Sequence, residues 1–200
     1  MQGANQAATA AKLSYPTHFL GKVGTDSYAG PLRAALAEAG VQLDHLQEVP
    51  GPSGTAVILL QSSGENSIII WEAPTRTQRM EAVTAGQQQG RGLQVLLKLG
   101  TAGSMMVPAG AAAAAGAAAA AAAGGQVVQQ PAVDCPQVVD TTGAGDCFTA
   151  AFMVGLLEGS SAAQAMRFAA AAASICVSRA GAQPSLPSRQ ELDDFMSALP

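Results

Sequence analysis

The sequence predicts an α/β protein, and three observations predict it. Val138-Val139-Asp140 reads as a strand end, Thr141-Thr142-Gly143-Ala144-Gly145-Asp146 as a glycine-rich turn, and Cys147–Leu157 as an apolar helix. Helical, strand-like and helical stretches alternate between Gly3 and Gly40. Two β-rich apolar runs, Thr55–Gln61 and Ser67–Trp71, flank the turn formers Ser62-Ser63-Gly64-Glu65-Asn66, the pattern of an antiparallel hairpin. The length of 200 residues suits one domain, residues 1–200, with a real core.

Taken in order, Gly3–Leu13 is a small-residue helix and Thr17–Val23 a short strand. Asp26 is placed to cap the next helix, which carries Leu32, Leu36 and Ala39 at helical spacing and stops at Gly40. Leu43–Val49 is weakly extended, and with the hairpin it forms a covering unit over 43–72. Pro74–Gly92 is polar and irregular, with room for one helix at most. Gln94–Leu99 is a buried strand, Gly100-Thr101-Ala102-Gly103 a tight turn, and Ser104–Val107 a second strand. Residues 109–125 are almost pure alanine and glycine, which specifies no packed structure. After the central stretch come a helix at Ala162–Arg179, a loop at Ala180–Pro187 and a helix at Arg189–Leu199 whose Leu192, Phe195, Met196 and Leu199 share a face.

Composition excludes several function classes. The net charge is −4 and the 10 Lys and Arg residues are scattered, so there is no basic stripe for nucleic acid. Cys135, Cys147 and Cys176 are odd in number and form no CxxC pair, which fits reduced thiols in a cytoplasmic protein. With only His18 and His45, a zinc site is not expected. Alanine is too weakly apolar to make the 109–125 tract a membrane span, and no targeting segment is visible.

The chemistry concentrates in Asp140–Asp146. A helix start leaves backbone N–H groups unpaired and carries the positive end of the helix dipole, and glycines let a phosphate approach that backbone. Asp146 is then out of place unless it serves as a base, a metal ligand or a cap. Two further glycine-bearing stretches, Gly3-Ala4-Asn5 and Leu99–Gly103, are candidates to converge on the same ligand along one edge of a parallel sheet. Read alone, Gly100–Gly103 is equally a hairpin turn, Asn5 a helix cap and Asp140 a turn former.

These residues, with Arg167–Ser174 and Gly181-Ala182-Gln183-Pro184-Ser185-Leu186-Pro187, resemble the C-terminal signature region of the PfkB carbohydrate kinase family, in its ribokinase-like branch. The resemblance extends in order through Gly3–Ala7, Gly21–Asp26, Gly51–Ala56, Gly64–Ile70 and Val95–Gly100. It implies a three-layer Rossmann-like ribokinase fold with a small β lid over 43–72. It implies an ATP-dependent kinase that moves the γ-phosphate to the terminal hydroxyl of D-ribose, giving ribose 5-phosphate. The alternatives are another sugar or nucleoside kinase of the family, or an inactive remnant that still binds ATP. By the same resemblance Asp146 is the base, and Gly143, Ala144 and Gly145 form the anion hole. Gly3, Asn5 and Asp146 hold the sugar, while Gly100, Thr101, Ala102, Gly103 and Gly145 hold ATP. Mg²⁺ accompanies ATP. A K⁺ site is implied at Asp140, Thr142, Cys176, Arg179, Gly181 and Ser185, mostly through carbonyl oxygens, which suit a hard cation. A homodimer through the lid strands is also implied.

The sequence departs from the family pattern in two places. Met1-Gln2 stand where the family has a glycine-lysine motif following an N-terminal strand, and Trp71–Gln94 is too short for the βα units expected there. The expectation is a shortened chain whose sheet lacks several strands and exposes edges and apolar faces.

Overall fold

The computed structural model describes residues 2–60, 66–71, 94–108, 127–135 and 137–199. The chain begins with α1 (Gln2–Lys12), β1 (Gly21–Val23), α2 (Ala29–Glu38) and β2 (Leu46–Glu48). β1 and β2 pair in parallel, Gly21 with Leu46 and Val23 with Glu48, with α2 as the crossover. The first strand is shorter than its sequence suggests, because His18 makes only an isolated parallel bridge to Gln42. Gly40, at φ 87°, ends the α2 turn in the left-handed region that glycine adopts freely.

The expected hairpin forms from β3 (Thr55–Leu60) and β4 (Asn66–Trp71), antiparallel with Thr55 opposite Trp71. Then come β5 (Gln94–Lys98), a 3₁₀ turn at Gly100–Ala102, β6 (Ser104–Pro108) and β7 (Val128–Gln130), an antiparallel sheet in the order β5-β6-β7. β7 went unforeseen: three residues beside an alanine tract carry too little pattern to mark a strand. The Pro74–Gly92 helix and the nature of 109–125 lie outside the described residues. Among those described, strands fall into three separate sheets, and only the β1-α2-β2 unit is parallel.

The chain closes with α3 (Ala144–Leu157), α4 (Ala162–Val177) and α5 (Arg189–Ala198). Here the core is helix on helix. Phe148, Phe152 and Val154 of α3 and Ala165, Met166, Ala169 and Ala172 of α4 are buried in one core cluster, and the two helices pack along each other. Each buried Phe or Val contributes roughly 1.5–3 kcal/mol. The small residues set the spacing: a Cβ on Gly155 would come within 3.1 Å of Ala165. Both α4 and α5 open on capping boxes, Ser161 with Gln164 and Ser188 with Glu191, each worth about 1 kcal/mol. Leu192 is buried, and Phe195, Met196 and Leu199 pack beside it as their shared face predicts.

The expected strand at Val138–Asp140 carries no sheet pairing. The N–H groups of Val139 and Asp140 both donate to the carbonyl of Val177, at 2.8 and 3.2 Å, so this segment docks on the end of α4 instead. Nor is β5 buried on both faces, since Leu97 is 43% and Leu99 45% exposed. Val138, Val139, Met153, Leu156 and Leu157 are exposed as well.

Candidate active site

The site is built on the first turn of α3. Gly143 is its N-cap at φ 84°, a conformation that costs a residue with a Cβ about 1–2 kcal/mol. A Cβ there would also lie 3.2 Å from the Ala182 backbone. The turn closes through Ala144 N–H to Thr141 carbonyl at 3.3 Å and Cys147 N–H to Gly143 carbonyl at 2.8 Å. The N–H groups of Gly145 and Asp146 have no partner among the described residues, and Gly145 is exposed. These are the free donors and dipole end that accept an anion.

Asp146 does not cap this helix: the cap is Gly143, with no side-chain cap bond. Its half-buried carboxylate instead meets Asn5, whose Nδ2 donates to Oδ2 over 2.9 Å. Asn5 is therefore no helix cap either; it is buried within α1. From the other side comes Lys98, at the end of β5, whose Nζ donates to the Gly145 carbonyl at 3.0 Å and to Thr149 Oγ1 at 3.1 Å. This fixed cation beside the free N–H groups was missed in the sequence, where Lys98 is one polar residue ending an apolar strand. Its one signal is its place just before a glycine turn.

Asn5, from the first glycine-bearing stretch, and Lys98, the residue before the second, both reach the first turns of α3, and the β5-β6 pair beside Lys98 is antiparallel. Gly100–Gly103 is an antiparallel hairpin turn, with Gly103 N–H bonded to the Gly100 carbonyl at 3.0 Å. Gly103 is glycine for packing: a Cβ there would sit 2.2 Å from the Gln130 carbonyl oxygen. Thr101 and Ala102 are exposed beside Lys98, while Gly3, also exposed, makes no hydrogen bond to Asp146.

Behind the turn, Asp140 ties two loops together. Its Oδ1 accepts from Thr142 N–H and its Oδ2 from Gly181 N–H, both at 2.8 Å. Burial pushes its pKa up, but hydrogen bonds from the Thr142 side chain and N–H and from Gly181 more than offset this and hold it below the usual carboxylate range. Ser185 Oγ donates to the Ala182 carbonyl at 2.7 Å and lies 3.0 Å from Cys176 Sγ, so the thiol is engaged as a buried packing group. The Arg179 guanidinium turns away to Glu191 at 2.9 Å. The donor set left to a cation is a carboxylate with spare lone pairs and backbone carbonyls, which fits a hard monovalent ion. Among the described residues no group of three or more His, Cys, Asp or Glu forms a metal cage.

Asp26 keeps part of its expected role at the start of α2, its Oδ1 accepting from Tyr28 N–H at 3.2 Å. The α2 cap is Tyr28, without a side-chain bond. Asp26 takes Ser53 N–H at 2.6 Å and Ser53 Oγ at 2.9 Å, tying the β1 exit to the base of the β3-β4 hairpin. Gly24 permits this, since a Cβ there would lie 2.2 Å from the Gly51 carbonyl oxygen.

Fold and site together define an α/β protein in which a glycine-capped helix start lies beside a carboxylate and a lysine. Comparison with known proteins gives the particular family. The pfkB family carbohydrate kinase profile matches residues 2–89 and 78–189, so the chain belongs to that family of sugar kinases. It is 32% identical to a ribokinase of Arabidopsis thaliana over 280 residues, covering 96% of this chain and 70% of the relative. A ribokinase of Bacillus subtilis is 29% identical, over 98% of this chain and 87% of its own length. The structure of the Arabidopsis thaliana ribokinase complexed with ribose and ATP superposes with a TM-score of 0.76 at 30% identity, over 99% of this chain and 87% of that one. An alignment of 280 residues exceeds the 200 residues available, so it opens gaps inside this chain. The two family matches meet at residues 78–89, within the stretch too short for the expected βα units.

Proposed function

We propose that this chain transfers the γ-phosphate of ATP to the terminal hydroxyl of D-ribose, giving ribose 5-phosphate. The observation that carries the reading is the Asp146 carboxylate on the first turn of α3, beside unpaired N–H groups and the Lys98 ammonium. Phosphoryl transfer asks for alignment and charge stabilisation rather than covalent chemistry. The γ-phosphate lies over Gly143, Ala144 and Gly145, where the N–H groups and the helix dipole neutralise charge spreading onto its equatorial oxygens. Lys98 adds a positive charge to the same oxygens from the β5 side. Asp146 accepts the proton of the sugar hydroxyl as that oxygen attacks, and the leaving ADP departs from the opposite face.

ATP rests against the exposed Gly100–Gly103 turn, and the sugar against Gly3 and Asn5. Mg²⁺ bound to the nucleotide phosphates would screen their charge. A K⁺ ion held by Asp140 and the carbonyls of Thr142, Cys176, Arg179, Gly181 and Ser185 would add positive potential behind the anion hole. The β3-β4 hairpin serves as lid and as dimer contact within a single domain in the cytoplasm. No helix among the described residues is long and apolar enough to cross a membrane.

A second reading, an ATP-binding remnant without turnover, is favoured by the gaps that the alignment opens in this chain. Coupled ATP consumption with ribose, fructose and adenosine separates the readings. Ribose-dependent turnover is expected, and Asp146→Asn should lower it by about 10²–10⁴-fold while ATP still raises the melting temperature. Turnover with adenosine alone assigns a nucleoside kinase; an ATP-dependent melting shift without turnover on any acceptor leaves the remnant.

A further inference from the structure

Asn5 and Asp146 are 141 positions apart in sequence, yet their side chains meet over 2.9 Å. The meeting is built into the packing of α1 along α3. Asn5 is 8% exposed, and Thr9 Oγ1, fully buried one turn later, donates to the Asn5 carbonyl at 2.8 Å. Ala4 and Ala8 flank it in the same buried cluster as Cys147 and Phe148. The helix carrying the amide is therefore locked before any ligand arrives.

The chemistry of the pair fixes its orientation. An ionised carboxylate only accepts, so the amide must present its NH₂ to Asp146, and its own oxygen points elsewhere. Asp146 Oδ2 is occupied by this bond, while Oδ1 has no hydrogen-bond partner among the described residues. A carboxylate pinned at one oxygen holds the other in a fixed direction, and errors of an ångström in such a group cost about 10²-fold in rate.

We propose that Asn5 is a positioning residue for Asp146, holding Oδ2 so that Oδ1 faces the attacking hydroxyl. This role rests on the kinase reading above and is separate from any contact of Asn5 with the sugar. A residue that only binds sugar affects the Michaelis constant, whereas one that aims the base affects the rate at saturating sugar.

The test measures kcat and KM for the acceptor sugar in the wild-type chain, Asn5→Ala and Asn5→Asp. The aspartate variant keeps the shape of the side chain and replaces the donor with a second acceptor. Loss of kcat by about 10–10²-fold in Asn5→Ala is expected, with KM changed less than about threefold. Asn5→Asp, retaining the wild-type circular dichroism spectrum, should fall at least as far. A rise in KM with kcat preserved in either variant overturns the role and leaves Asn5 a sugar contact. A wild-type chain without acceptor-dependent turnover overturns the kinase reading itself, and the positioning role with it.

Discussion

Two glycine turns, Gly100–Gly103 and Gly143–Gly145, look alike in sequence and differ in the element each one enters. The first leads from β5 into β6, with Ala102 N–H and Gly103 N–H bonded to the Leu99 and Gly100 carbonyls inside the hairpin; its Gly103 is dictated by the Gln130 backbone 2.2 Å from where a Cβ would lie. The second leads into α3, whose start bonds Ala144 N–H to Thr141 and Cys147 N–H to Gly143 but leaves the N–H groups of Gly145 and Asp146 without a partner among the described residues. Glycine in both cases marks a close backbone approach. Whether that approach serves packing or a ligand is decided by the next element.

This comparison is sharpened most by alanine at each turn. Gly103→Ala combines φ 90° with a backbone clash and should cost roughly 3 kcal/mol in urea unfolding. Gly143→Ala has a looser contact, 3.2 Å to Ala182, and should cost about 1–2 kcal/mol. In turnover the order reverses, with Gly143→Ala the more damaged because it distorts the anion-binding turn itself. Equal damage to both properties at both turns would erase the distinction.

A smaller effect is expected where the end of β5 reaches the second turn. Lys98→Ala removes the ammonium that bridges from β5 to Gly145 and Thr149, an exposed contact of little worth to stability. The KM for ATP should rise roughly tenfold with the melting temperature nearly unchanged, by one lost charge-assisted hydrogen bond. An unchanged KM would remove Lys98 from the phosphate site.

The smallest effect lies behind the second turn, where Arg179 and Glu191 bracket the loop that packs on Gly143. Ser188 N–H, the Arg179 guanidinium and Ser188 Oγ hold the Glu191 pKa at about 2, against 4.5 ordinarily, with burial opposing them. A depressed folded-state pKa gives stability that is full above 4.5 and lost as pH falls from 4.5 towards 2. Glu191→Gln should therefore lower the urea midpoint at pH 7 and match the wild type near pH 2. A constant difference across that range would contradict the assignment.

Much was legible in the sequence where local rules suffice. The two β-rich runs of the hairpin, the 3.6-residue spacing of α5 and the turn-helix order at Gly143 depend on neighbours in sequence, and the family resemblance runs through the same blocks. What failed depended on distant partners. Val138–Asp140 has the composition of a strand, but its N–H groups meet Val177 rather than a neighbouring strand. Asp26 does meet Tyr28 N–H at the helix start, but its shorter bonds, to Ser53 at 2.6 and 2.9 Å, join segments that local rules do not connect.

By itself, then, the sequence determined an α/β chain with a glycine turn opening a helix at Gly143–Leu157, because turn chemistry and periodicity are written locally, and its motif blocks carried the resemblance to the PfkB family. Only the tertiary structure decided that the Gly100–Gly103 turn is a hairpin and that Lys98 stands over Gly145. It also decided that Asn5 holds the carboxylate of Asp146. Each of these joins groups far apart in the chain, and packing of helix on helix and strand on strand, rather than local propensity, sets which of them meet.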